Sequence, residues 1–216
     1  MKLLRVATGF VLLTGALAAA TADLRLIEAA KNKDAKAVRE LLAQHVPVTA
    51  TASDGFTALH EAVRYDDLEI ADALITAGAD VSAATRYNIT PLSLACTNGN
   101  TAMIEHLLKA GADPNSTSEA GQTALMTAAL AGKVDAVKML LAHGAKVNVQ
   151  EPTKGQTALM WAASEGNTAA AESLIEFGAD IKSKSKAGFT PLLFAVRGDI
   201  RIRSRRCWRM APTPTM

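Results

Sequence analysis

The sequence predicts an all-α protein, a solenoid of stacked helix-turn-helix units from which loops project. The first observation is a threonine in a short repeated motif, which recurs at steps of 33, 33, 34 and 33 residues. The second is a Gly-Ala pair that follows in each of the first four units, at steps of 33, 33 and 34. The composition, 49% hydrophobic but only 4% aromatic, favours helices that pack through small side chains. Two signatures in one register indicate a repeat protein. The threonines are Thr57, Thr90, Thr123, Thr157 and Thr190, and the glycines are Gly78, Gly111, Gly144 and Gly178.

Each unit has the local signals of two helices. The threonine is an N-cap residue, whose hydroxyl accepts a free backbone N–H of the first turn. Pro91 and Pro191 follow their caps, where proline has no N–H to lose and presets φ. The second helix carries apolar residues at helical spacing, as at Ile70 and Leu74. The glycine of the Gly-Ala pair is predicted to end that helix in the left-handed conformation.

These motifs resemble the ankyrin repeat over about residues 24–200, with close matches at Thr57–His60 and Gly111–Asn115. The resemblance implies a non-catalytic, monomeric protein that binds a partner protein and needs no cofactor. It also implies a hydrogen-bond ladder made by a histidine of the motif, but only His60 retains it. Other residue types stand at the equivalent positions, so the ladder is expected to be mostly absent, with Met packing in its place. These residues are Ser93, Met126, Met160 and Leu193.

The register divides the chain into units. The first lacks the threonine motif but keeps two helical stretches, Leu24–Asn32 and Asp34–Gln44, and is predicted to be a diverged capping repeat. The predicted boundaries are 23–52 for the cap, 53–84, 85–117, 118–151 and 152–184 for four ankyrin repeats, and 185–198 for a truncated repeat.

Residues 1–22 have the pattern of a secretory signal peptide. Lys2 and Arg5 precede an apolar stretch, and small residues at Ala20 and Ala22 offer a cleavage site before Asp23. The expected location is therefore the periplasm or the exterior of a bacterial cell. In the alternative, the segment is not cleaved and anchors the protein in the inner membrane.

Residues 199–216 depart from the repeat pattern. Gly198 should be followed by a second helix, but an arginine-rich segment follows instead. Reverse-translated in a shifted frame, this segment accommodates Leu-Leu-Ala-Asn-Gly-Ala-Asp-Pro-Asn, the usual end of a repeat. We infer a frameshift near residues 199–202, in the gene or in its sequencing; in the alternative, the arginines bind an anionic surface. The helix after Thr190 is then expected to fray, and its apolar residues are expected to be half covered: Leu192, Leu193, Phe194 and Val196.

Charge and residue spacing argue against other functions. Residues 23–196 hold 15 Lys and Arg against 20 Asp and Glu, a balance of about −5 that excludes a nucleic-acid-binding protein. The four histidines do not have the spacing of a metal site, and no phosphate-binding glycine motif occurs. Cys96 has the position of a small core residue. The sequence thus predicts no catalytic, cofactor or metal site and no small-molecule substrate; the alternative from another class is an interaction fragment detached from a larger enzyme.

The resemblance places partner binding on the concave face, which is formed by the loop tips before each threonine and by the end of each first helix. Tyr and Arg, the residue types that anchor protein interfaces, occur in these positions. The predicted partner-binding residues are Phe56, Arg64, Tyr65, Arg86, Tyr87, Ile89, Gln122, Leu130, Gln156, Glu165 and Phe189.

Overall fold

A computed structural model describes residues 23–198 and confirms the predicted fold class. This part of the chain is helical, and its only bridge of the β type is an isolated one between Thr117 and Thr123. Residues 191–198 are also helical. The predicted signal peptide and the tail from residue 199 lie outside the described residues. The named helices are α1 (Arg25–Lys31), α2 (Ala35–Ala43), α3 (Ala58–Arg64), α4 (Leu68–Thr76), α5 (Pro91–Asn98), α6 (Thr101–Lys109), α7 (Ala124–Leu130), α8 (Val134–Ala142), α9 (Ala158–Glu165) and α10 (Thr168–Glu176).

The helices stack in two rows. One row consists of the first helices of the units, which pack in sequence on one another: α1, α3, α5, α7 and α9. The other row consists of the second helices: α2, α4, α6, α8 and α10. Each first helix also packs on the second helix of its own unit. The core therefore runs along the whole stack between the rows, as expected for a solenoid in which each unit contacts only its neighbours.

Threonine caps start the first helices where the sequence predicts them. Thr57, Thr90, Thr123 and Thr157 each accept a hydrogen bond from the backbone N–H three residues ahead, over 3.2 or 3.3 Å. All four are buried, so water has little access to the N–H groups that they satisfy. Their loss would leave buried donors without a partner.

Left-handed residues end the second helices, which confirms the prediction for the glycines. Gly78, Gly111, Gly144 and Gly178 have φ between 85° and 97°. In the first unit the same position is taken by His45, with φ 58°. The N–H of the next residue, Val46, bonds to the carbonyl of Leu41, five residues earlier. In each later unit, the alanine after the glycine makes the same bond to a leucine five residues earlier. The diverged unit thus keeps the C-terminal helix geometry without its glycine.

His60 has the structural role expected of it. Its Nδ1 lies 2.9 Å from the hydroxyl of Thr57, and its Nε2 lies 3.0 Å from the carbonyl oxygen of Ile89 in the next unit. Because a carbonyl only accepts, Nε2 carries the proton. Burial lowers the pKa of His60, and the hydrogen bond to the Ile89 carbonyl offsets this lowering only in part. At the equivalent positions Met126 and Met160 are fully buried, whereas Leu193 is exposed.

The last described units end in an exposed apolar surface, which we call the C-terminal face: Ile175, Leu192, Leu193 and Val196. Leu192 is 71% exposed, whereas Leu159 at the same position of the preceding unit is 3% exposed. The expectation of half coverage was wrong for Phe194, which is 9% exposed because its ring packs against Phe189 with centroids 6.0 Å apart. Residues 191–198 form a helix, and the fraying of this helix stays a prediction.

Candidate protein-binding surface

Three of the projecting loops are tight turns held by the same side-chain contact. Thr85, Ser118 and Ser185 each open a turn, and their hydroxyl oxygens accept the backbone N–H four residues ahead at 3.1 to 3.2 Å. The carbonyl of the same residue accepts a second N–H, three residues ahead, at 2.8 to 2.9 Å. These bonds give each tip a defined conformation, which lowers the entropic cost of presenting its side chains to a partner.

Glu151 opens the one loop that carries an extra residue. Its carboxylate is 4% exposed and accepts the backbone N–H groups of Thr153, Lys154 and Gln156 at 2.7 to 3.0 Å. Burial by itself raises the pKa of Glu151, but the bonds from these N–H groups outweigh it and hold the pKa below its ordinary value. The longer side chain of Glu151 thus satisfies the backbone N–H groups of the longer turn, as the hydroxyl groups of Thr85, Ser118 and Ser185 do in their shorter turns.

Neighbouring loop tips contact each other through the backbone. The N–H of Arg86 bonds to the carbonyl of Asp54 at 3.0 Å, and the N–H of Lys186 bonds to that of Lys154 at 2.9 Å. The N–H of Glu119 bonds to the carbonyl of Tyr87 at 3.2 Å. These bonds place the charged residues of successive loops side by side along one edge of the stack.

At the N-terminal part of this edge lies a cluster of two aromatic rings and one arginine, Phe56, Arg64 and Tyr65. The guanidinium of Arg64 lies 5.9 Å from the Phe56 ring centroid and 5.8 Å from that of Tyr65. Lys33 approaches Tyr65 from the preceding unit, at 5.4 Å. The Arg64 guanidinium also lies 3.9 Å from the buried Glu61 carboxylate. Cation–π and charge contacts therefore hold three predicted partner-binding residues together.

None of the predicted partner-binding residues is buried. Arg86 and Tyr87 lie at the next tip, with Tyr87 62% exposed and the Arg86 guanidinium bonded to the Ser53 carbonyl at 2.9 Å. These contacts join Arg86 to the loop that precedes Phe56. The exposed ones are Arg64, Arg86, Tyr87, Leu130, Glu165 and Phe189, and the half-buried ones are Phe56, Tyr65, Ile89, Gln122 and Gln156.

The titratable groups that could suggest chemistry have structural roles. Cys96 is fully buried, and burial raises the pKa of its thiol to about 12, so almost no thiolate forms near neutral pH. Over residues 23–198, His, Cys, Asp and Glu side chains do not gather in a group of three that could hold a metal ion. In the same range no helix has the length and apolar character of a transmembrane span.

The comparison with protein families decides the classification. A family model described as "Ankyrin repeats (3 copies)" matches residues 22–85, 82–151 and 146–202. The chain belongs to the ankyrin repeat family. A search of curated proteins finds no significant match. Ankyrin repeats generally mediate protein–protein interaction, and ankyrin repeat proteins are generally non-catalytic scaffolds.

A second feature of this ankyrin array lies at the C-terminal part of the loop edge. There, a cleft of about 510 Å³ opens between the last two described loops. We call it the basic cleft, because its lining includes three cationic side chains. The predicted partner-binding residues include two that line it, Gln156 and Phe189, but not its three cationic residues or Phe194. Its lining includes Lys154, Gln156, Lys186, Phe189, Phe194 and Arg197.

Proposed function

We propose that this ankyrin repeat protein is a non-catalytic scaffold that binds a partner protein through the concave face, outside the cytoplasm. The observation that carries the proposal is that none of the eleven predicted partner-binding residues is buried, and that they lie on ordered loop tips or at the ends of first helices. Aromatic and arginine side chains on a pre-ordered surface are suited to anchor an interface.

The tyrosines at the first two tips provide the test. A photo-crosslinking residue in place of Tyr87 should capture the partner, which mass spectrometry then identifies. With that purified partner, Tyr65→Ala and Tyr87→Ala should each weaken binding by about 2 kcal/mol, or about 30-fold in Kd, because each removes a large interface ring. Isothermal titration calorimetry measures this loss.

Phe177→Ala is the matched control, since Phe177 is an exposed aromatic residue at the end of the second helix α10. It should leave the affinity unchanged. If Tyr65→Ala and Tyr87→Ala unfold the protein, or if both leave the affinity unchanged while Phe177→Ala lowers it, the assigned face is wrong.

The location outside the cytoplasm depends on the N-terminal segment. Cleavage of the predicted signal peptide leaves Asp23 as the first residue of the exported protein. Mass spectrometry of the protein from its native compartment should therefore detect a chain that starts at Asp23. Detection of residues 1–22 in the membrane fraction would support the anchored form instead.

A further inference from the structure

We propose that the basic cleft binds an acidic segment of the partner protein, with an apolar side chain of that segment packed on Phe189. This inference rests on the function proposed above and names the chemistry of the partner. It concerns a place on the loop edge that is distinct from the cluster of Phe56, Arg64 and Tyr65.

The charges of successive loop tips indicate that the ligand of the cleft is anionic. Each tip presents one charged residue, and the signs alternate along the first four: Asp54, Arg86, Glu119 and Lys154. Opposite charges on adjacent tips attract each other. The alternation stops at the last pair, where Lys186 follows Lys154 and their backbones are joined by a 2.9 Å hydrogen bond. Adjacent tips thus carry charges of the same sign at this end of the edge, where an anion would interact favourably with both lysines.

The cations of the cleft have no carboxylate partner among residues 23–198. Lys154, Lys186 and Arg197 form none of the ion pairs found there. The ammonium of Lys186 donates to the carbonyl oxygen of Pro152, which fixes its position but does not neutralise it. The nearest acidic group in the loop, Glu151, is turned inward and uses its carboxylate on backbone N–H groups. The cleft therefore keeps a net positive charge.

The shape and the aromatic residues of the cleft favour a protein segment. Phe189 and Phe194 meet edge to face, with an angle of 65° between their rings. Phe189 remains 39% exposed, so one apolar surface lies beside three cations. A concave site of about 510 Å³ accepts a few side chains, whereas a membrane surface is flat. The negative balance of residues 23–196 repels the long phosphate backbone of a nucleic acid.

A synthetic probe tests the proposal on the exported protein. The probe is a fluorescein-labelled peptide of alternating Glu and Gly residues around one central Phe, and its binding is measured by fluorescence anisotropy at low salt. The triple variant Lys154→Gln, Lys186→Gln and Arg197→Gln should bind the probe at least about tenfold more weakly. A probe with Ala in place of its Phe should also bind more weakly to the unchanged protein.

Two controls separate the cleft from other positive charge. The variant Lys36→Gln, Lys109→Gln and Lys138→Gln carries the same charge change on second helices and should keep its affinity within about twofold. A variant with Gln at the five arginines of the tail should also retain binding; these are Arg201, Arg203, Arg205, Arg206 and Arg209. Loss of binding only in the tail variant would overturn the proposal. Equal loss in the cleft variant and in the variant of the second helices would also overturn it.

Further measurements distinguish the class of ligand and protect against a folding artefact. Tighter binding of single-stranded DNA or of phosphatidylglycerol vesicles than of the peptide, through the same three side chains, would overturn the choice of a protein segment. Lys186→Gln should leave the melting temperature nearly unchanged, because Lys186 is exposed. If the probe fails to bind but the Tyr87 crosslink and the tyrosine substitutions behave as expected, this inference fails and the proposed function stands.

Discussion

Replacement of Leu159 by Ala should lower the free energy of unfolding by about 3 kcal/mol, whereas Leu192→Ala should lower it by less than about 1 kcal/mol. The two leucines occupy the same position, two residues after the capping threonine of successive units. Leu159 is 3% exposed and belongs to the hydrophobic core of the stack, whereas Leu192 is 71% exposed. Truncation at Leu159 removes buried apolar surface and leaves a cavity, while truncation at Leu192 removes surface that already contacts water.

Urea denaturation followed by circular dichroism measures both losses. The comparison also reports on the C-terminal face in solution. If Leu192→Ala costs as much as Leu159→Ala, something covers the face and the stack is closed beyond residue 198.

The inferred frameshift supplies the complementary experiment. Restoring the repeat-like frame should add the missing second helix, cover Ile175 and Leu192, and raise the melting temperature. Equal melting temperatures would contradict that hypothesis.

The second large effect is expected at Glu151. Glu151→Gln should lower the free energy of unfolding by about 2 to 3 kcal/mol at pH 7, since an uncharged amide replaces a carboxylate that accepts three backbone N–H groups. The amide also brings its own N–H₂ group towards those donors. The extra-residue loop should then lose its defined turn. Glu119→Gln, at an exposed tip one loop earlier, is the control and should cost less than about 0.5 kcal/mol.

The effect of Glu151 should depend on pH in a definite direction. Its pKa is lower in the folded protein than in the unfolded chain, where it is about 4.3. The stabilisation is therefore fully present above the unfolded pKa and is lost as the pH falls through the folded pKa. The difference in unfolding free energy between the unchanged protein and Glu151→Gln should shrink from pH 7 to about pH 3. A difference that is constant over this range would show that the carboxylate charge has no part in holding the loop.

The sequence alone determined the repeat architecture because its signals are local. A threonine accepts an N–H three residues ahead, and a glycine reaches the left-handed conformation, whatever the rest of the chain does. The accessibility of the predicted binding residues follows from the same register, since the period of a repeat decides which side chains face the stack. The first unit, which has His45 where the others have glycine, still adopted the same helix ending.

Tertiary structure decided what depends on contacts between units. The step of 34 residues was visible in the sequence, but the inward turn of Glu151 depends on which backbone N–H groups the longer loop leaves unpaired. Phe194 is buried and packs against Phe189, whereas Leu192 in the same apolar stretch is exposed. The charges of Lys154 and Lys186 stand 32 residues apart in the sequence. They form one basic cleft only because neighbouring loop tips are joined by backbone hydrogen bonds, and such proximity is a property of the stack rather than of either loop.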